Sequence, residues 1–294
     1  MSSGRFIDIH VHAYRKDCPR ADGRTRFATP EEVIGRYDEI GIEKGVLLPL
    51  IGPEVYLPQS NEDILDMCER SNGRFIPFCN IDPRGMTNTP DAPFGDWLRH
   101  YRDRGCRGVG EVMANLPFGD PRCQNLFKHV EDIDLPLVFD ISETIGGGYG
   151  LYDDPGLPQL EKTLRGCPKL RILGHGPAFW AEMGPLETPA DRAGYPRYPF
   201  KEEGVVPKLF RRYRNLFGDL SAESGYNALS RNPDYAVRFL EEFQDRLLFG
   251  TDMCSADAKS KLPGFLIGLE EQGRLSREAF TKIARDNAVR LLGL

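Results

Sequence analysis

RFIDIHVHAY, residues Arg5–Tyr14, is a short β-patterned run carrying two histidines, His10 and His12. Side chains two apart on a strand share a face, so both imidazoles point the same way, and Asp8 is expected on that face with them. Two parallel imidazoles make half a metal site, whose other ligands must come from elsewhere in the fold. Near the other end of the chain RLLFGTDMC, Arg246–Cys254, is an apolar run that carries Asp252. Asp252 can complete the site if the first and last strands become neighbours. Closing a barrel makes them so.

Six further apolar, β-branched runs lie between these two: Lys44–Gly52, Arg74–Pro83, Cys106–Asn115, Leu135–Ser142, Leu170–Phe179 and Leu216–Ala222. Near-continuous apolar strands suit a parallel sheet buried on both faces. Helix signals alternate with them. Thr29-Pro30-Glu31-Glu32 and Ser60-Asn61-Glu62-Asp63 are helix starts, the second helix stopping at Asn72-Gly73. Further helices are expected over Phe94–Asp103, Pro121–Ile133, Gln159–Leu164, Val205–Tyr213, Pro233–Phe243 and Arg277–Leu292. Alternation on this scale predicts an α/β fold, a (β/α)8 TIM barrel forming a single domain over residues 1–294. A doubly wound open sheet would need a Gly-rich phosphate loop, and the sequence has none.

Barrel active sites gather at the C-terminal strand ends. The last inward-facing residues of the strands are His10 and His12, then Glu111, Asp140, His175, Asp219 and Asp252. Unpaired buried charges cost several kcal/mol each, so a ring of such groups calls for a cation. Imidazoles with carboxylates and no thiolate suit Zn²⁺, with Mn²⁺ or Fe²⁺ as alternatives, and an open coordination position marks a catalytic site. Asp252 is the candidate to take a proton from water, and His175 to stabilise or protonate the product. The remaining histidines, His100 and His129, lie in helices and are expected to be surface or packing residues.

Two long loops should frame the mouth. Glu143–Pro158 contains Tyr149, and Trp180–Glu203 contains Tyr195, Arg197 and Lys201. Asp140, Tyr149, Trp180, Tyr195 and Arg197 are the expected substrate contacts, with Arg197 and Lys201 as anion binders; a subunit contact is the other reading of the second loop. A net charge of −6 without a basic stripe gives no support for nucleic-acid binding. Seven scattered cysteines without a CxxC pair argue for a reducing, cytoplasmic setting. Neither a signal peptide nor a membrane span is visible. The expected partner is a small-molecule substrate, and a homo-oligomer is left open.

IDIHVH, ILGHG, GDLSA and LLFGTD, on strands one, six, seven and eight, together resemble the amidohydrolase superfamily. The similarity is to its amidohydrolase-2 branch, related to aminocarboxymuconate semialdehyde decarboxylase. The resemblance implies metal ligands at His10 and His12, a ligand and base at Asp252, and a catalytic or metal-binding role for His175. The family's usual strand-five histidine is replaced here by Asp140. Glu111 can compensate, as TatD-like deoxyribonucleases use a strand-four glutamate. One metal on His10, His12, Glu111 and Asp252 is the first arrangement. A pair bridged by Glu111 and completed by Asp140 or His175, and a metal-free site, are the alternatives. The function implied is a metal-dependent hydrolase cleaving a C–N or C–O bond of a small polar or carboxylated substrate. A metal-dependent decarboxylase is the alternative, ahead of a non-catalytic barrel.

Overall fold

Each expected strand contains a core of regular β structure in the computed structural model, which describes residues 5–18 and 26–294. In chain order these are β1 (Phe6–Val11), β2 (Ile42–Leu47), β3 (Phe75–Pro77), β4 (Val109–Val112) and β5 (Leu137–Phe139). A small parallel ribbon follows, β6 (Ile141–Ser142) with β7 (Leu151–Tyr152), then β8 (Ile172–Gly174), β9 (Leu216–Asp219) and β10 (Leu247–Leu248). All pairings are parallel, in two sheets ordered β1-β2-β3 and β10-β9-β8-β5-β4. Two seams join the sheets into a barrel. At one, Gly110 N donates to Cys79 O at 2.9 Å; at the other, Ile9 N donates to Phe249 O, and His12 N to Met253 O, both at 2.9 Å. The protein is an α/β TIM barrel, as its strand pattern predicts.

Ile7, Ile9, Val46, Phe78, Val138, Leu173 and Leu248 fill the barrel interior, and a larger apolar shell lies between strands and helices. The helix Pro30–Ile40 begins with a Thr29–Glu32 capping box, and Asn61–Arg70 with one from Ser60 and Asp63, as their sequences predict. The last helix is not continuous: Lys282–Asp286 forms a π-turn between Arg277–Thr281 and Asn287–Leu292. Three helices escaped the sequence reading, the short Pro177–Trp180 and the longer Ala222–Ser230 and Leu262–Glu271. Among the described residues no helix is long and apolar enough to cross a membrane.

The alternation of β1 departs from expectation. Asp8 pairs with Gly45 and Val11 with Leu47, so three steps along β1 match two along β2. β4 does the same against β5, where Val109 pairs with Leu137 and Val112 with Phe139. An extra residue in a strand reverses the side-chain alternation beyond it. Asp8 therefore does not share a face with His10 and His12. Its carboxylate meets Tyr37 of the first helix and Thr251 instead. In β4, Gly110 occupies the irregularity at φ +133°, where a Cβ would come within 2.5 Å of Val138 O. Only glycine fits so close an approach. The chain beyond each bulge aims its functional side chain, His10 or Glu111, into the mouth.

Candidate metal and catalytic site

At that mouth His10 Nε2 and His12 Nε2 lie 3.0 Å apart. Glu111 Oε2 is 3.5 Å from each of them. Asp252 Oδ1 is 3.6 Å from His10 Nε2 and 3.5 Å from His12 Nε2. Neighbouring donors around one ion at ~2.0–2.2 Å stand ~3.0–3.6 Å apart, so the spacing fits a shared cation.

The other ring nitrogens sharpen that fit. His10 Nδ1 faces Asp219 Oδ2 at 2.6 Å, and His12 Nδ1 faces Leu48 O at 3.0 Å. Both partners are acceptors, which places a proton on each Nδ1 and leaves a lone pair on each neutral Nε2. Two lone pairs facing each other across a buried 3.0 Å gap repel unless a positive charge, a shared proton or a metal ion, lies between them. Burial disfavours a charged His10, but the carboxylates of Asp219, Asp252 and Glu111 outweigh it and drive its pKa well upward. The site attracts positive charge, and its donor set can hold a divalent ion.

Asp219, fully buried at the end of β9, holds two histidines at once. Besides His10 it lies 3.3 Å from His175 Nδ1, and its Oδ1 accepts from Ser221 N at 3.0 Å. Burial opposes its ionised form, yet the two imidazoles keep its pKa far below the usual carboxylate range. The sequence places Asp219 in the ring but assigns it no role. His175 has Ser221 Oγ 3.0 Å from its Nδ1, while its Nε2 reaches Glu111 Oε1 at 3.7 Å and Asp252 Oδ2 at 4.0 Å. Burial and His10 oppose charge on His175, but Asp219 and Glu111 prevail, and its pKa is pushed up to about 9. Gly176 follows at φ +93°, where a Cβ would collide with Asp140 Oδ1. Burial, then the neighbouring Glu111, push Asp140 up to about 8. Burial would raise Glu111 as well, but the surrounding histidines hold it strongly down. Asp252 adopts a left-handed backbone, φ +52°, a conformation aspartate tolerates better than most residues.

These groups open into a cavity of about 310 Å³. His12, Glu111, Asp140, His175 and Asp252 line it, as do Tyr149 and Tyr195 from the two long loops. Leu50, Glu54, Tyr56 and Met113 complete much of the wall without any local sequence signal. Two expected contacts are misplaced. Trp180 is fully buried behind the site, with Nε1 donating to Asp219 O at 2.8 Å and its ring packed on Phe179 and Phe239. It sits in a short helix, Pro177–Trp180, rather than in a loop. Arg197 is exposed and absent from the cavity wall, as is Lys201. A larger hollow of about 460 Å³ beside Arg15, Asp66 and Arg74 contains none of the convergent groups.

The sequence profile described as amidohydrolase matches residues 7–294. Among curated proteins none matches the sequence. Solved structures share the fold at low identity. A 5-carboxyvanillate decarboxylase from Sphingomonas paucimobilis has a TM-score of 0.63 at 15% identity, covering 99% of this chain and 100% of its own. A probable 2-pyrone-4,6-dicarboxylic acid hydrolase from Acinetobacter baumannii, with citric acid bound, has a TM-score of 0.61 at 17% identity over 99% and 100%. A 5-carboxyvanillate decarboxylase from Novosphingobium aromaticivorans with bound manganese has a TM-score of 0.53 at 15% identity over 89% and 80%.

Proposed function

Because the chain belongs to the amidohydrolase family, we propose that it is a metal-dependent hydrolase cleaving a C–N or C–O bond in a small molecule. The observation that carries this reading is the convergence of His10 Nε2 and His12 Nε2, 3.0 Å apart, with Glu111 Oε2 and Asp252 Oδ1 at 3.5–3.6 Å from them. His10, His12, Glu111 and Asp252 would hold one divalent ion, Zn²⁺ by preference for this nitrogen and oxygen set, with Mn²⁺ next. Such an ion supplies Lewis acidity, polarising a carbonyl and acidifying water. Asp252 Oδ2 accepts the proton of the attacking water. His175, protonated and held by Asp219 and Ser221, donates from Nε2 toward the leaving atom. Asp219 keeps the His10 tautomer that leaves Nε2 free. Tyr149 and Tyr195 close the outer wall around the substrate.

Decarboxylation is the second reading, favoured by the two 5-carboxyvanillate decarboxylases among the structural neighbours named above. One experiment separates the readings. Protein purified without chelators is assayed for metal and then with esters, lactones, amides and aromatic carboxylates, alongside His175→Ala. Hydrolysis predicts stoichiometric metal, turnover of the first three classes, and a fall in kcat of about 10²–10⁴-fold in the folded variant. Release of CO₂ from the carboxylates alone would favour the second reading. Metal-free protein with full activity would refute both.

A further inference from the structure

We propose that the cavity selects an uncharged, ring-bearing substrate and discriminates against carboxylated ones, an inference that rests on reading this cavity as the hydrolase site. Apart from the histidines, the acidic and basic side chains on its wall are all carboxyl groups: Glu54, Glu111, Asp140 and Asp252. Among the described lining residues there is neither lysine nor arginine.

The guanidinium of Arg84, behind the Glu54 side of this wall, is already paired. Arg84 donates from Nη1 to Glu54 Oε1 at 2.8 Å and from Nη2 to Glu54 Oε2 at 2.7 Å. It also donates from Nε to Asp82 Oδ1 at 2.7 Å and from Nη2 to Asp82 Oδ2 at 2.6 Å. Two carboxylates around one guanidinium leave the trio with an excess negative charge. Glu54 Oε1 further accepts from Asn115 N at 3.0 Å, which fixes its carboxylate in place at the wall. Lys259 lines an adjoining hollow beyond Asp252, whose wall also includes Glu223. A divalent ion would balance Glu111 and Asp252, and the charge of a protonated His175 is already matched by Asp219, 3.3 Å from its Nδ1. An incoming carboxylate would still meet the field of Glu54 and its partners, with no fork of donors to replace its lost water.

What the wall offers instead is apolar and aromatic. Phe27 stacks between Tyr14, at 4.2 Å, and Tyr56, at 6.0 Å between ring centroids, and Phe27 and Tyr56 both face the cavity. Met113, Tyr149 and Tyr195 continue that surface. Flat side chains of this kind suit a neutral ring, which they contact at low conformational cost.

The test pairs phenyl acetate with 4-acetoxybenzoate, which share the scissile ester and differ by one carboxylate. Metal-loaded enzyme should favour the neutral ester at least tenfold in kcat/KM, mainly through KM. Glu54→Gln, which frees Arg84 Nη1 and Nη2 from an anionic partner, should narrow that gap severalfold. Calorimetric binding of phenol and 4-hydroxybenzoate to the same metal-loaded protein keeps the inference separable from the hydrolase reading. Tighter binding of phenol without turnover of either ester would remove the hydrolase reading and leave the charge selection standing. Equal or better handling of the carboxylated partner in both measurements, or binding of neither probe, would overturn the inference.

Discussion

Asp219→Asn changes one atom at the point where two histidines are held, so its cost can be worked from the contacts. Asp219 Oδ2 takes His10 Nδ1 at 2.6 Å and His175 Nδ1 at 3.3 Å, while Oδ1 takes Ser221 N at 3.0 Å. An asparagine with its nitrogen toward His10 sets donor against donor, and the ring must move its proton to Nε2, the atom proposed to bind metal. Flipped the other way, the amide nitrogen meets the Ser221 N–H, and the oxygen facing His10 is neutral rather than charged. Either orientation forfeits one hydrogen bond to a charged group, about 1.5–3 kcal/mol. In metal affinity that is roughly ten- to hundredfold, the range for partners that orient a ligating histidine. The assay is a competition titration of Zn²⁺ against a chelator, with denaturant unfolding of metal-free protein beside it. Metal affinity within twofold of wild type, with a stability loss in the metal-free protein, would refute the orienting role and leave Asp219 as a packing residue.

Asp8→Ala strips the acceptor from His10 N, Thr251 N, Thr251 Oγ1 and Tyr37 Oη, and is expected to destabilise the protein by about 3–5 kcal/mol in urea unfolding. Asp8→Asn, which keeps one oxygen for the two backbone donors, should lose less. Gly110→Ala drives a methyl against Val138 O at a backbone angle alanine resists, so thermal melting should drop by several degrees and metal binding should weaken as Glu111 shifts. Arg197→Ala should leave kcat and KM within about twofold, since its side chain is exposed and away from the wall; a large rise in KM would return it to the site.

Much of this site is legible in the sequence because strand ends carry it. His10, His12, Glu111, His175 and Asp252 come together at hydrogen-bonding or ion-pairing distances, as expected from runs that each end at the same rim. The two bulges were not legible. A bulge is a property of two strands in register, and Asp8 follows simple alternation until β2 is placed beside it. Trp180 misleads for a related reason: its Pro-flanked, Gly-rich surroundings read as a loop, while its indole N–H finds a carbonyl on β9. The helix Leu262–Glu271 lacks a polar face to mark its period and carries Gly264 and Gly268, which lower helix propensity. Tyr56 and Glu54 reach the cavity from the connection after β2, and nothing local announces that. The sequence also overvalued cation content in a loop: Arg197 and Lys201 are the residue types an anion needs, but both are exposed and neither lines the cavity.

The join between the first strand and the last has a consequence in time. Asp8 and Thr251, which pair across it, are 243 residues apart in the chain. Contacts that distant form late, because a long loop must close before they bring any gain. His10 and His12 stand on one side of that join and Asp252 on the other, so the full ligand set exists only once the ends have met. An ion that binds after the rate-limiting step leaves the folding rate alone and acts on unfolding. At a hundred times its Kd it adds about 2.7 kcal/mol, roughly a hundredfold in the lifetime of the native state. Held across the meeting point of the two ends, the ion would then govern how long the closed barrel persists as well as what it does.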